Sequence, residues 1–342
     1  MTDKLYLESG YLNMEYIINL PVPFIFVLGG RGTGKTYGAL KYLLDNDKRF
    51  IMMRRTQTQV DMIKDSAFNP FNALPDHNII IKSINKNMSG VYKGHYEDGL
   101  NKTDGTPIGF LCALSTISNI RGFNAEDVEI ILYDEFIGEK HERAIRSESD
   151  AVLNAYETIN RNRELKGLNA LKMVFLANSN DLANPVFMGL KLVGTVEKMK
   201  QKGNDLYINK DRGIAIILLG ETAISKAKRE TALYKLAGDS EFSEMALKNE
   251  FANEEKALIG SRNLKDYKPV CFVGELAVYR KGRQYYITDY RKGTAKEYDS
   301  SPMELKRFKR DYYFLWLAYL NSNILFESYY LQTLFERYFG IW

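Results

Sequence analysis

The stretch GGRGTGKT, residues 29–36, has the residue types and spacing that bind the phosphates of a nucleotide. It follows the apolar run FIFVL, which predicts a buried strand, and it precedes a helix-compatible segment. Glycines let the backbone approach phosphates closely, while the lysine suits the β- and γ-phosphates and the threonine hydroxyl suits Mg²⁺. The pattern predicts a nucleoside triphosphate and Mg²⁺ as cofactors, bound by Gly29, Gly30, Arg31, Gly32, Thr33, Gly34, Lys35 and Thr36.

A second apolar run, VEIILYDEF, ends in two acidic residues, Asp134 and Glu135. An aspartate at this position holds Mg²⁺, and the adjacent glutamate is suited to polarise an attacking water. Switch GTPases orient that water with a glutamine, whereas motor ATPases place the base directly after the aspartate and add a strand between the two motifs. Residues Ile108–Leu114 are our candidate for that strand. The acidic pair favours repeated ATP hydrolysis and a P-loop NTPase of the additional-strand, catalytic-glutamate class.

Two further polar clusters fit such an enzyme. Asn178, Ser179 and Asn180 follow the apolar run LKMVFLA, where Asn178 would lie beside the γ-phosphate and detect its loss. A strand-end turn rich in asparagine and serine would look the same. Arg161 and Arg163 lie near the end of the predicted amphipathic helix SDAVLNAYETINRNREL.

The two arginines, taken as helical residues two apart, would point about 200° away from each other, so that one projects outward. An outward arginine is suited to reach the phosphates of a neighbouring subunit, although positive charge at a helix C-terminus is also simply stabilising. Arg54, Arg55 and Arg121 follow or precede predicted strands. Their position alone does not decide whether they bind a nucleotide, a neighbouring subunit, DNA or only solvent.

Alternation of strand and helix patterns over the first two-thirds of the chain predicts an α/β domain with a mostly parallel sheet. A polar helical pattern with a break at Gly238-Asp239 follows, and then a β pattern with a turn at residues 280–282 and an aromatic helical tail. We therefore predict an ATPase domain at residues 1–222, a helical linker or lid at 223–258 and a small α+β domain at 259–342. The predicted strands of the first domain are Phe24–Leu28, Phe50–Met53, Asn78–Lys82, Ile108–Leu114, Glu129–Tyr133, Leu171–Ala177 and Gly213–Leu219.

Composition indicates a globular protein of 342 residues with 45% hydrophobic and 26% charged residues. No apolar run reaches the ~18 residues of a membrane span and no signal pattern is present, so we expect a cytoplasmic location without membrane contact. Cys112 and Cys271 have no metal-site or disulfide spacing, and the three histidines are isolated from one another. From Ser261 onward, 14 lysines and arginines stand against 9 acidic residues, which suggests a polyanionic partner or an ordinary solvated surface.

Taken together, the motifs resemble the DNA-packaging ATPases of phi29-like tailed phages, small relatives of the large terminase subunit. The resemblance rests on GGRGTGKT, FIMMRR, LSTISNIRGF, ILYDEF, TINRNREL and FLANSNDLANPVF, in that order over roughly residues 20 to 190. It implies a homopentameric ring that docks on the portal of an empty prohead in the host cytoplasm and moves double-stranded DNA inward. A structural packaging RNA is a further possible partner.

The resemblance also implies roles for individual residues. Lys35 and Thr36 would bind phosphate and Mg²⁺, and Asp134 would bind the metal. Glu135 would be the catalytic base, and Arg161 would be the finger that acts across the subunit boundary. The candidate catalytic residues are therefore Glu135, Arg161 and Lys35. Arg121 would contribute at the interface between subunits, where the family carries lysine.

The C-terminal region resembles the RNase H-like nuclease domain of terminases only in outline. Two-metal nucleases need several inward carboxylates, and the predicted strands offer only Glu275 and Asp289. We therefore expect a vestigial domain that serves docking or DNA binding. The alternatives are a terminase-type ATPase with an active nuclease, a regulatory P-loop module, and a helicase-like translocase on single strands.

Overall fold

A computed structural model of the chain describes residues 4–64, 66–97, 100–120, 123, 125–138, 142, 145, 147–178, 182–220, 227–238 and 259–340. The chain divides into two compact units. The first comprises residues 1–190 and 199–252, and the second comprises residues 191–198 and 253–342. The predicted domain boundaries at 222 and 258 stay a prediction.

The first unit is a mixed α/β structure, as predicted. Its described strands, in chain order, are β1 Phe24–Leu28, β2 Phe50–Arg54, β3 Ile79–Asn85, β4 Met88–Glu97, β5 Leu100–Ala113, β6 Ile130–Asp134, β7 Lys172–Ala177, β8 Leu206–Asn209 and β9 Ile214–Leu218. The α-helices from residue 14 to residue 237 are α1 Met14–Ile18, α2 Lys35–Asp45, α3 Gln57–Lys64, α4 Glu148–Asn160, α5 Pro185–Gly189, α6 Val193–Lys202 and α7 Ala232–Ala237. Short 3₁₀ turns lie at Ser66–Phe68, Pro70–Ala73, Leu114–Ile120 and Glu164–Lys166.

The nine strands form one sheet in the order β3-β4-β5-β2-β6-β7-β1-β9-β8. Six neighbouring strands are parallel to one another, namely β5, β2, β6, β7, β1 and β9. The strands β3 and β4 at one edge and β8 at the other pair antiparallel. Central strands such as β6 are buried on both faces, which explains their nearly continuous apolar sequences. All carboxyl ends of the parallel strands meet at one edge of the sheet, and we call this the carboxyl edge.

The strand between β1 and β6 is β7, Lys172–Ala177. Our prediction that Ile108–Leu114 fills this place is wrong, because those residues belong almost entirely to β5, which pairs with β2 and β4. Both segments are apolar and of strand length, so periodicity alone does not distinguish them. The hairpin of β4 and β5 and the edge strand β8 were also not predicted.

The second unit has a five-stranded sheet in the order β13-β10-β11-β12-β14. Its elements are β10 Lys268–Val273, β11 Leu276–Lys281, β12 Gln284–Thr288, β13 Lys296–Tyr298, α8 Pro302–Asp311, α9 Tyr313–Leu320, β14 Ile324–Phe326 and α10 Tyr329–Phe339, with a 3₁₀ turn at Leu264–Asp266. The turn predicted at residues 280–282 joins β11 to β12. An aromatic core that includes Phe308, Phe326 and Phe335 packs the helices on this sheet.

Both cysteines are buried, and burial raises the pKa of each thiol to about 12, which keeps them protonated. Within the described residues, no helix is both long and apolar enough to cross a membrane. Among the described histidines, His77 and His95 pair with carboxylates at the surface, and His141 lies outside the described residues.

Candidate active site

The phosphate-loop motif connects the end of β1 to the start of α2 at the carboxyl edge. Gly34 is the N-cap of α2, with φ of +86°, and no described side chain caps the helix. A side chain at Gly34 would also collide with the ring of Tyr11. The free N–H groups and the positive end of an eleven-residue helix therefore point into the loop, as an anion site requires.

Lys35 is 8% exposed and its ammonium group lies inside the loop. It donates hydrogen bonds to the carbonyl oxygens of Gly29 at 2.9 Å and Gly30 at 2.7 Å, and it lies 3.4 Å from Asn178 Oδ1. Burial lowers the pKa of Lys35 to about 8, while Asp134 acts in the opposite direction. A cation held in this way is placed to exchange loop carbonyls for phosphate oxygens.

Asp134 ends β6 beside the phosphate loop. The Thr36 hydroxyl donates to both carboxylate oxygens of Asp134, at 3.0 and 3.1 Å. Burial raises the pKa of Asp134, and the nearby Arg54 guanidinium opposes that effect. A hydroxyl and a carboxylate oxygen in contact are the ligand types that Mg²⁺ prefers, so these two residues fit the ion.

Glu135 follows the strand in a left-handed backbone conformation, with φ of +56°. Few residues other than glycine adopt this conformation without cost, and such strained positions cluster at functional sites. The side chain of Glu135 is 53% exposed and faces the same cavity as Asp134. The carboxylate is therefore accessible to a water molecule at the site.

Arg54 forms ion pairs with both acidic residues. Its guanidinium lies 2.9 Å from Asp134 Oδ2 and also contacts the carboxylate of Glu135. Its side chain is only 12% exposed, so Arg54 is part of the site and not a solvated loop residue. Its sequence position alone did not indicate this role, because the acids it binds lie 80 residues away.

The side chains converge on one cavity of about 550 Å³ at the carboxyl edge. Its lining residues are Arg31, Gly32, Gly34, Lys35, Thr36, Tyr37, Asp134, Glu135, Ala177 and Asn178. The structure thus brings together the predicted phosphate, metal and base residues. Ser179 and Asn180 lie outside the described residues.

A larger cavity of about 730 Å³ adjoins the first and shares Gly32, Gly34 and Tyr37 with it. Its other walls come mainly from the N-terminal segment, including Tyr11 and Met14, and from α2. The backbone N–H of Leu12 donates to the carbonyl of Thr33, which ties this segment to the phosphate loop. Nothing in the sequence of the N-terminal segment indicated that it forms part of the site.

Arg55 directly follows β2, and its side chain points to the other side from that of Arg54. The side chain of Arg55 is buried. Its guanidinium binds both carboxylate oxygens of Glu148, at 2.8 and 3.0 Å, and also contacts Glu142. The Tyr133 hydroxyl donates to Glu148 as well, at 3.2 Å. This network attaches the start of α4 to the ends of β2 and β6.

Arg55→Met is expected to lower the free energy of unfolding by about 3–5 kcal/mol, because it leaves the carboxylate of Glu148 buried without a cation. Urea denaturation measures this change. Adding Glu148→Met to Arg55→Met should recover most of the loss, since the unpaired charge is then removed. A loss below about 1 kcal/mol in the single variant, the range typical of solvent-exposed ion pairs, would contradict the assignment.

Arg161 and Arg163 lie beyond the end of α4, which finishes at Asn160. The two arginines are therefore not helical residues, and the expected separation of about 200° between their side chains does not apply. Arg161 instead caps the helix with φ of +47°. The Arg161 guanidinium donates to the carbonyl of Phe123 at 2.8 Å, and that of Arg163 binds the carbonyls of Glu126 and Val128. Arg121 lies outside the described residues.

The model of the Podovirus DNA encapsidation protein (Gp16) family matches residues 6–275. This chain belongs to that family. The DNA packaging protein of Bacillus phage phi29 is 24% identical to it, and the match covers 94% of each chain. The DNA packaging protein of Bacillus phage B103 is 25% identical, over 90% of this chain and 94% of the relative.

The Gp16-family chain is also similar in fold to a chain of the bacteriophage Phi-29 viral genome packaging motor assembly. The TM-score is 0.65 at 17% identity, and the match covers 97% of this chain and 99% of the other. The Phi-28 gp11 DNA packaging motor gives a TM-score of 0.63, also at 17% identity, over 96% and 98% of the two chains. The predicted resemblance to the packaging proteins of phi29-like phages, and with it the role in DNA packaging, is confirmed.

Proposed function

We propose that this Gp16-family protein hydrolyses ATP and uses the energy to move double-stranded DNA into an empty prohead. One observation carries the proposal: Lys35, Thr36, Asp134 and Glu135 line a single cavity at the carboxyl edge of a parallel sheet. Ligands of α/β proteins bind at this edge. The position of β7 between β1 and β6 supports assignment to the additional-strand, catalytic-glutamate class of P-loop NTPases.

Each residue would have a distinct task. The loop N–H groups and Lys35 would hold the β- and γ-phosphates, and Asn178 would lie beside the γ-phosphate. Thr36 and Asp134 would hold Mg²⁺, which neutralises phosphate charge when bound. Glu135 would orient and deprotonate the attacking water. The larger cavity beside Tyr11 and Tyr37 offers aromatic rings and space for the adenine base.

We further propose that the protein acts as a homo-oligomeric ring, with five subunits as the stoichiometry implied by the resemblance. The ring would bind the portal of the prohead in the host cytoplasm, with a structural RNA as a possible additional partner. Membership of a DNA encapsidation family and similarity to chains of packaging motors support this assembly. Arg161 would act on the nucleotide of the neighbouring subunit.

Purified protein mixed with empty proheads, DNA and ATP is expected to render the DNA resistant to added nuclease, because packaged DNA is enclosed. Lys35→Ala protein and reactions without ATP serve as controls. Nuclease-resistant DNA should be recovered after the proheads are opened. Full sensitivity of the DNA in the presence of active ATPase and intact proheads would contradict translocation.

The second unit is proposed to be an RNase H-like domain without nuclease activity. A mixed five-stranded sheet with flanking helices supports the first part. Among the described residues, no three histidine, cysteine or acidic side chains lie close enough together to hold a metal ion. Glu275 instead accepts a hydrogen bond from Tyr330 at 3.0 Å and pairs with Lys191.

The full-length protein is therefore expected to show no Mg²⁺- or Mn²⁺-dependent cleavage of DNA. Supercoiled plasmid incubated with each metal, followed by gel electrophoresis, measures nicking. Metal-dependent nicking that disappears in Glu275→Gln or Asp289→Asn would contradict the proposal. That result would favour the terminase-type alternative.

A further inference from the structure

Lys228 lies directly over the apex of the phosphate loop. Its ammonium group donates a hydrogen bond to the backbone carbonyl of Arg31. A Cβ atom placed on Gly32 would lie only 2.2 Å from Lys228 Nζ, so the lysine occupies the space that a side chain would fill. Lys228 belongs to the described segment 227–238, which ends in α7 and is part of the same compact unit as the loop.

This contact brings a third cation to a loop that already holds Arg31 and Lys35. Burial lowers the pKa of Lys228, and Arg31 lowers it further. Burial is the main cause of the low pKa of Lys35, and the charge of Lys228 lowers that pKa further. These like charges repel one another, and a bound anion would reduce that repulsion.

The two carboxylates nearest to the phosphate loop are shared with Arg54. Asp134 and Glu135 already form ion pairs with Arg54. Within the described part of the chain, Lys228 makes a hydrogen bond to a carbonyl and no ion pair with a carboxylate.

A lysine that only capped the Arg31 carbonyl would gain one hydrogen bond and would remain beside two other cations. Its flexible stem could carry the ammonium group away from Arg31 and Lys35 into solvent at little cost. Gly32, with φ of +73°, also leaves the space that this ammonium group fills. Both features fit a site built around an anion that the three cations share.

We propose that Lys228 is a second phosphate-binding lysine of the ATP site, supplied by segment 227–238. The proposal rests on the proposed ATPase function. Lys228 contacts the terminal phosphates of ATP from the outer side of the loop, whereas Lys35 contacts them from inside. Because ATP carries one more negative charge than ADP, ATP holds segment 227–238 more tightly, and hydrolysis with phosphate release loosens it.

The test compares nucleotide affinities in a Glu135→Gln background, which suppresses hydrolysis. Isothermal titration calorimetry gives the dissociation constants of ATP and ADP for Lys228→Met, Lys228→Arg and a control, Lys235→Met. Lys235 lies in the same segment but pairs with Glu230 at the surface. Lys228→Met should weaken ATP binding about 10- to 100-fold and ADP binding less, since a hydrogen bond to a charged group is lost. Lys228→Arg should retain most of the affinity, and Lys235→Met should bind like its parent.

Hydrogen exchange supplies a readout that does not depend on affinity. Saturating ATP should slow amide exchange in segment 227–238 of the Glu135→Gln protein but not in the variant that also carries Lys228→Met. If Lys35→Ala abolishes ATP binding while Lys228→Met binds ATP and ADP like its parent, the role of Lys228 is refuted and the nucleotide site stands. If Lys35→Ala itself binds ATP normally, the proposed nucleotide site is wrong and the role of Lys228 falls with it.

Discussion

Glu135→Gln is expected to reduce ATP hydrolysis by about 10²–10⁴-fold while leaving ATP binding nearly unchanged, because the amide cannot accept the proton of the attacking water. Glu135 lines the cavity with an exposed carboxylate but contacts no backbone group of the phosphate loop in the described structure. Its replacement therefore removes a base and leaves the phosphate contacts intact. Steady-state phosphate release and nucleotide titration measure the two quantities separately.

Lys35→Ala is expected to have the opposite pattern and to abolish productive ATP binding. The ammonium group is the buried cation of the loop, and alanine offers no donor in its place. The fold should survive, because the variant removes a buried charge whose desolvation is unfavourable. Thermal unfolding checks this point.

Two control variants keep the chemistry of each change but lie away from the site. Glu129→Gln lies before β6, at the end of the strand opposite Asp134, where Glu129 pairs with Lys48 at the surface. Lys93→Ala lies on β4, where Lys93 pairs with Asp47 at the surface. Both controls should hydrolyse ATP like the unmodified protein. Near-normal turnover in Glu135→Gln would remove Glu135 from its role as base.

The phosphate loop and the acidic strand were predictable because their chemistry is local. A strand, a loop and a helix that follow one another along the chain leave little freedom in where Lys35 and Thr36 lie, and β1 has the predicted bounds. The apolar run of β6 likewise delivers Asp134 to the edge where parallel strands end. Local pattern therefore located the residues of the cavity.

The order of the strands was not predictable in the same way. The strand between β1 and β6 is chosen by tertiary packing, and β7 and the end of β5 are equally apolar. The β4 strand was missed because its sequence, MSGVYKGHYE, is polar and contains two glycines. Antiparallel strands with one exposed face lack the strong apolar signal of the central parallel strands.

The ion pairs around the site were also beyond the sequence. Arg54 and Arg55 are adjacent and chemically identical, yet one binds the acidic pair and the other anchors α4. Their partners lie 80 to 93 residues further along the chain, and Lys228 lies 197 residues from the carbonyl it binds. Only the folded arrangement reveals which charge meets which.

The position of α4 bears on whether Arg161 acts within its own subunit. The helix starts at the carboxyl edge, where Glu148 binds Arg55. It ends at the other edge, where Asn160 accepts a hydrogen bond from the backbone N–H of Leu171, just before β7. Its 13 residues, at about 1.5 Å each, span about 20 Å.

Arg161 is thus held near the opposite edge of the sheet from its own phosphate loop, which supports a role in a neighbouring subunit. The Phe123 carbonyl that it binds belongs to a residue whose ring packs on Phe110, beside the first half of β2. An arginine side chain is far shorter than the ~20 Å that α4 spans between the two edges, so Arg161 does not reach the γ-phosphate position of its own subunit. A neighbour packed against this edge would bring its nucleotide within reach.

Arg161→Ala is therefore expected to lower ATP hydrolysis by about 10³–10⁵-fold, the contribution of a finger supplied in trans, while each subunit still binds ATP. Arg163→Ala is the matched control, since Arg163 binds backbone carbonyls of the loop before β6. Mixing Arg161→Ala subunits with Glu135→Gln subunits should restore part of the activity. Only a mixed ring contains an interface that joins an intact Glu135 from one subunit to an intact Arg161 from the next. If mixed rings form, as shown by native mass spectrometry, yet never exceed the activity of either variant alone, Arg161 does not act across the boundary and Arg163 becomes the next candidate.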